Sequence, residues 1–92
     1  MAESVIHLLL VEDDEDDYIF TRHLLGESRV HRFEVSWADR MESALNYLDD
    51  TKVDIILLDL SLPDSFGWET FTKVRAHVPD VPIVLLTGVH DE

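Results

Sequence analysis

The chain has 92 residues, 46% of them hydrophobic, no cysteine, and 20 acidic against 7 basic side chains, for a formal charge of −13. One domain is the natural size, the absence of thiols excludes a disulfide framework and suits a reducing cytoplasm, and no apolar stretch is long enough to span a bilayer. Such a charge repels nucleic acid and anionic membrane, so direct contact with either is not expected, whereas cations and basic protein surfaces are favoured partners.

Ile6-His7-Leu8-Leu9-Leu10-Val11 is a short continuous apolar run, the pattern of a buried strand, and six acids from Glu12 to Asp17 follow it. This run succeeds MAES rather than a basic segment, unlike a secretory leader. The acids fit the start of a helix through Tyr18, Ile19, Phe20, Leu24 and Leu25, where each is favoured by about 0.3–1 kcal/mol at the positive helix end, and Gly26 marks the stop. Phe33, Val35 and Trp37 alternate with Glu34, Ser36 and Ala38, as in a half-exposed strand at a sheet edge.

Asp39 and Glu42 have the spacing of a helix cap, and Met41, Ala44, Leu45 and Leu48 recur on one helical face. The second continuous run, Ile55 to Leu58, reads as a central strand buried on both faces and ends on Asp59. Leu60-Ser61-Leu62-Pro63-Asp64 leaves it as a loop, and Gly67 turns the chain into a helix near Trp68 with Phe71, Val74, Arg75 and Val78. The Arg75 stem can lie along that stripe with its head in water. Pro79 ends the helix, and Val81 to Leu86 forms a last strand closed by Thr87-Gly88.

Strand-helix alternation with short connections predicts an α/β fold with a parallel sheet and helices on both faces. Ligands of such sheets bind outside the carboxyl ends of the strands. Glu12 and Asp13 follow the first strand, Asp59 ends the third, and Thr87 follows the fourth. If the first and third strands are neighbours, about 4.8 Å apart, their terminal carboxylates converge and repel one another unless a cation lies between them. A hard divalent ion, most plausibly magnesium, fits these oxygen donors and would orient a phosphoryl group while one carboxylate acts as nucleophile. The five histidines have no ligand spacing. Trp37, Trp68, Phe66 and Phe71 read as core and surface aromatics, and Asp14 to Asp17 as solvated acids.

HLLLVEDD, DIILLDLSLP with a later glycine, and PIVLLTG, in this order, resemble the receiver domain of two-component response regulators across essentially the whole chain. The resemblance implies a flavodoxin-like, doubly wound sheet with strand order 2-1-3-4. It further implies that Asp59 takes a phosphoryl group from a histidine kinase or phosphotransfer protein. Asp13 would bind Mg2+ directly and Glu12 through water, with the Ser61 backbone carbonyl as a further ligand. Thr87 would contact the phosphoryl oxygen, and Gly88 would leave room beside it.

Receivers usually continue through another helix, a fifth strand and a final helix, so residues 1–92 read as a receiver domain incomplete at its carboxyl end. The lysine that ends the fifth strand in the family has no counterpart, since Lys52 and Lys73 lie in other elements. An uncovered sheet face and a bare fourth-strand edge are then expected to drive homo-oligomerisation. The leading function is thus a cytoplasmic phosphoacceptor signalling domain, not a classical enzyme. A shortened, non-switching receiver that self-associates is the alternative, and a magnesium-dependent phosphohydrolase with an aspartyl nucleophile ranks third. Such hydrolases usually carry an acid two residues after the nucleophile, where this chain has Ser61.

Overall fold

Four apolar runs form the strands of one parallel sheet in the computed structural model, which describes residues 4–86. In chain order the elements are β1 (Val5–Val11), α1 (Glu15–Gly26), β2 (Arg32–Ala38), α2 (Met41–Asp50), β3 (Ile55–Asp59), β4 (Ser61–Leu62), β5 (Ser65–Phe66), α3 (Trp68–His77) and β6 (Ile83–Leu86). The sheet order is β2-β1-β3-β6, the expected 2-1-3-4 arrangement when the four long strands alone are counted. β1 pairs with β2 from Val5 opposite Arg32 to Val11 opposite Ala38, and with β3 from Leu8 opposite Ile55 to Val11 opposite Leu58. β6 adds to the far side of β3, with Asp59 opposite Leu86.

Side chains level with one another across parallel strands share a face, and this divides the molecule into layers. Leu9, Val11, Ala38, Ile56 and Leu58 point to one face and form the core with Met41, Ala44 and Leu48 of α2 and Val74 of α3. Full burial of each such Leu, Ile, Val or Met side chain contributes about 1.5–3 kcal/mol. Leu8 and Leu10 face the other way and are also buried. Trp37, level with Leu10, stacks there on Tyr18 of α1, so α1 lies on the opposite face from α2 and α3.

That opposite face is thinly covered among the described residues. α1 has no buried residue, and Ile19, Phe20 and Leu24 are 54%, 62% and 51% exposed. The expectation that β3 is buried on both sides therefore holds on one side alone: Ile56 and Leu58 are buried, whereas Ile55 and Leu57 are half-buried and neighbouring Val84 is 44% exposed.

Local detail departs from the sequence pattern where a distant segment supplies a better partner. Asp39 does not cap α2; its carboxylate meets the Arg40 guanidinium at 3.3 Å, and Arg40 occupies the cap position without a side-chain bond. Asp64 caps the helix instead, accepting from the amides of Met41 at 2.7 Å and Glu42 at 2.9 Å. Desolvation pulls the Asp64 carboxyl up, but the Met41 and Glu42 amides, its own amide and the Arg40 charge together carry it below the ordinary value. The segment after Asp59 is not a plain loop: β4 and β5 form a small antiparallel hairpin, which holds Asp64 in position. The Gly67 amide donates to the Leu60 carbonyl at 2.7 Å, and Gly67, at φ 72°, turns the chain into α3 in a region that favours glycine.

At the other end of α3 the Arg75 head does not simply extend into water. It donates to the carbonyls of Val78, Pro79 and Val81, tying the last turn to the following loop, and its charge lies 5.7 Å from the Phe71 ring centroid. The last strand starts at Ile83 rather than Val81, because Pro82 lacks the amide a ladder needs, although its carbonyl still accepts from Ile56. The turn expected at Thr87-Gly88 lies outside the described residues.

Asp64→Ala removes a cap that α2 cannot replace from its own sequence and is expected to destabilise the fold by about 1 kcal/mol. Urea unfolding followed by circular dichroism measures this, with Asp39→Ala, expected to be near neutral, as the comparison.

Candidate functional site

The β1–β3 register builds the site. Val11 lies opposite Leu58, so the next residue of each strand, Glu12 and Asp59, emerge side by side at the carboxyl ends of the two central strands. Asp13 joins them from the β1–α1 connection. Carboxylate oxygens of Glu12, Asp13 and Asp59 all lie within 4.8 Å of one another. Asp14, Asp17 and Ser61 complete the lining of a cleft of about 260 Å³.

The three carboxylates differ in environment. Glu12 is buried, Asp59 half-buried and Asp13 exposed. Burial is the main influence that pushes the Glu12 carboxyl up from 4.5 to about 7, with the Asp59 hydrogen bond and the Asp59 and Asp17 charges acting in the same direction. The Asp14 amide, which donates to Glu12 Oε2 at 3.1 Å, opposes this shift. Asp59 Oδ1 accepts from the Ser61 amide at 2.9 Å, which orients the carboxylate over the start of the hairpin.

Of the remaining acids, Asp14 has a structural task. Its side chain accepts from the Asp17 amide at 3.1 Å and caps α1, while Glu15, Asp16 and Asp17 occupy the first turn, where negative charge is favoured. Asp17, read from sequence as a solvated acid, also lines the cleft and contributes to the Glu12 shift. Its position three residues beyond the cap was the available signal. Trp37 was missed as well: its indole Nε1 donates to the Glu12 carbonyl at 2.7 Å, a contact that strand alternation alone does not reveal.

Glu12, Asp13, Asp59 and Ser61 are therefore brought together, and Thr87 lies outside the described residues. Three hard oxygen donors, one of them raised chiefly by burial and further by Asp59, are a donor set that suits a divalent cation. Among the described residues, histidines lie elsewhere: His7 pairs with Glu34, His23 with Glu27, and His77 with Asp49.

The chain matches the model of the response regulator receiver domain over residues 8–92. It belongs to that family. A putative transcriptional regulator of Haloferax volcanii is 38% identical over 92 residues, covering 99% of this chain and 15% of its own length. The regulatory protein AtoC of Escherichia coli is 28% identical over 86 residues, covering 92% of this chain and 18% of its own length. This chain thus spans less than a fifth of either relative. The crystal structure of the phosphorylated cyanobacterial phytochrome response regulator RcpA superposes with a TM-score of 0.81 at 27% identity, covering 95% of this chain and 69% of that one. The fold is accordingly the flavodoxin-like α/β fold of receiver domains. Among the described residues, no helix is long and apolar enough to cross a membrane.

The Glu12 shift carries a pH signature. Its folded value of about 7 lies above the ordinary 4.5, so the folded state holds this proton more tightly than the unfolded chain. That stabilisation is complete below the unfolded value and is lost as pH rises through the folded one. In chelator-treated protein, the melting temperature should fall more between pH 5 and 8 for wild type than for Glu12→Gln, which cannot titrate. Parallel curves for the two proteins would contradict the assigned shift.

Proposed function

We propose that this receiver domain accepts a phosphoryl group on Asp59 from a histidine kinase or phosphotransfer protein, in a magnesium-dependent step within the cytoplasm. The observation that carries the reading is the convergence of the Glu12, Asp13 and Asp59 carboxylates, within 4.8 Å of one another, beside the exit of the central strand. An Asp59 oxygen attacks phosphorus, the phosphorus–nitrogen bond of the donor phosphohistidine breaks, and the departing imidazole takes up a proton. The product is an acyl phosphate.

Asp13 and Asp59 would hold the cation directly, with Glu12 acting through water and the Ser61 carbonyl as a further ligand. A bound magnesium ion supplies positive charge that offsets the repulsion between the incoming phosphoryl group and the carboxylates. The Ser61 amide holds the attacking carboxylate in place, and Thr87 contacts a phosphoryl oxygen. On this reading the domain signals through changed protein contacts and is not itself a turnover enzyme.

The test is magnesium-dependent binding of beryllofluoride and labelling by a small phosphodonor. Wild type should take up both, and Asp59→Asn should abolish both while retaining its fold. Labelling that survives in Asp59→Asn would refute the acceptor assignment.

The exposed apolar side chains of α1 favour a second reading, a non-switching receiver that self-associates. Ile19, Phe20 and Leu24 lie on one helix, while Val84 is exposed on β6, which pairs with β3 alone among the described residues. Light scattering at micromolar concentration should then give a homo-oligomer that Phe20→Glu dissociates. A wild-type monomer would dismiss this reading.

A further inference from the structure

Glu12 is gripped on three sides, and one grip comes from a residue to which the proposed chemistry gives no role. Its amide donates to the Ala38 carbonyl at 3.0 Å, the last rung between β1 and β2. Its side chain accepts from Asp14. Its carbonyl lies beyond the end of β2, which stops at Ala38, and there the Trp37 indole Nε1 donates to it at 2.7 Å. The carbonyl belongs to the peptide linking Glu12 to Asp13, so a single indole bond sets the plane from which both carboxylates hang.

The indole is itself braced. Tyr18, in the first turn of α1, stacks on Trp37 with ring centroids 4.2 Å apart and planes 5° from parallel. The Tyr18 amide donates to the Asp14 carbonyl, so the ring is fixed to the helix turn that follows the acidic loop. The pair closes a loop of contacts from β2 across to α1 and back through Glu12, Asp13 and Asp14.

Core packing does not account for this arrangement. Trp37 is 39% exposed, so it leaves much of its surface in water, and a phenylalanine would stack on Tyr18 equally well. Only the indole N–H reaches the Glu12 carbonyl. In an acidic cluster such a restraint has a use: Glu12, Asp13 and Asp59 converge to within 4.8 Å, and repulsion between ionised carboxylates opposes that convergence.

We infer that Trp37, braced by Tyr18, is a positioning residue for the cation-binding pocket, holding the Glu12–Asp13 peptide so that both carboxylates converge on the ion. This rests on the magnesium-binding reading of the site given above, and it adds that affinity for the ion depends on a neutral side chain outside the ligand set.

Magnesium titration by calorimetry, at a temperature where every protein is folded, tests the inference. Trp37→Phe keeps the stack and removes the donor, and its affinity should fall about fivefold, the equivalent of one hydrogen bond. Tyr18→Phe keeps the ring and should bind like wild type, whereas Tyr18→Leu removes the stack and should weaken binding in the same direction as Trp37→Phe. A purely structural role would lower the melting temperature of Trp37→Phe and leave its affinity unchanged, and that result overturns the inference. If Trp37→Phe fails to fold, Tyr18→Leu decides, and wild-type affinity in that variant overturns it equally. Wild type that binds no magnesium refutes the proposed site and this inference together, whereas binding by wild type with unchanged variants refutes the inference alone.

Discussion

The structure depends on one alignment, the parallel pairing of β1 with β3 that sets Val11 against Leu58. Because side chains alternate with a period of two, a shift by one residue would exchange Leu9 and Val11 with Leu8 and Leu10 between the two faces and break the core against α2 and α3. The same shift would separate Glu12 from Asp59. Core packing therefore enforces the position of the acids: the favourable burial of Leu9, Val11, Ile56 and Leu58 holds together carboxylates that would otherwise move apart. The raised proton affinity of Glu12 follows chiefly from its burial in that arrangement, with the neighbouring Asp59 adding to it.

Around that alignment the chain uses side-chain-to-backbone contacts to hold its connections. Asp64 reaches from the β4–β5 hairpin to the first amides of α2, Arg75 gathers three carbonyls after α3, and Trp37 bonds the carbonyl just past β1. Each satisfies backbone groups that a helix or strand end leaves open. Two of the three adjoin the site. The Asp64 contact fixes the hairpin that begins with Ser61, whose amide orients Asp59, and the Trp37 contact fixes the peptide carrying Glu12 and Asp13. Placement of the acidic cluster thus comes from both sides, and neutral or capping groups do much of it.

The two faces of the sheet are unequal. α2 and α3 meet a continuous buried cluster, whereas on the other face Leu8 and Leu10 are buried but α1 leaves its own Phe20 and Leu24 largely in water. The cleft sits at the end of this sheet rather than on either face, and its walls come from the β1–α1 connection, the first turn of α1, the end of β3 and the start of β4. The exposed side chains of α1 and the acidic cleft are therefore distinct surfaces, although α1 contributes Asp17 to the cleft and Tyr18 to the stack on Trp37.

Much of this was legible in the sequence because it depends on local pattern. Continuous apolar runs marked the central strands, alternation marked β2, and the order of strands and helices specified a parallel sheet whose carboxyl ends carry the acids. Glu12, Asp13 and Asp59 followed from strand ends, and Ser61 from the resemblance to receiver domains. The sequence could not assign the α2 cap to Asp64 rather than Asp39, or the Trp37 indole to Glu12, because each choice is between partners many positions apart; the Arg75 head reaches nearby carbonyls, but only the path of the loop after α3 turns them toward it. Nearby spacing identifies which residues can make a contact; tertiary structure decides which donor and acceptor arrive within hydrogen-bond distance, since that depends on how separate elements pack.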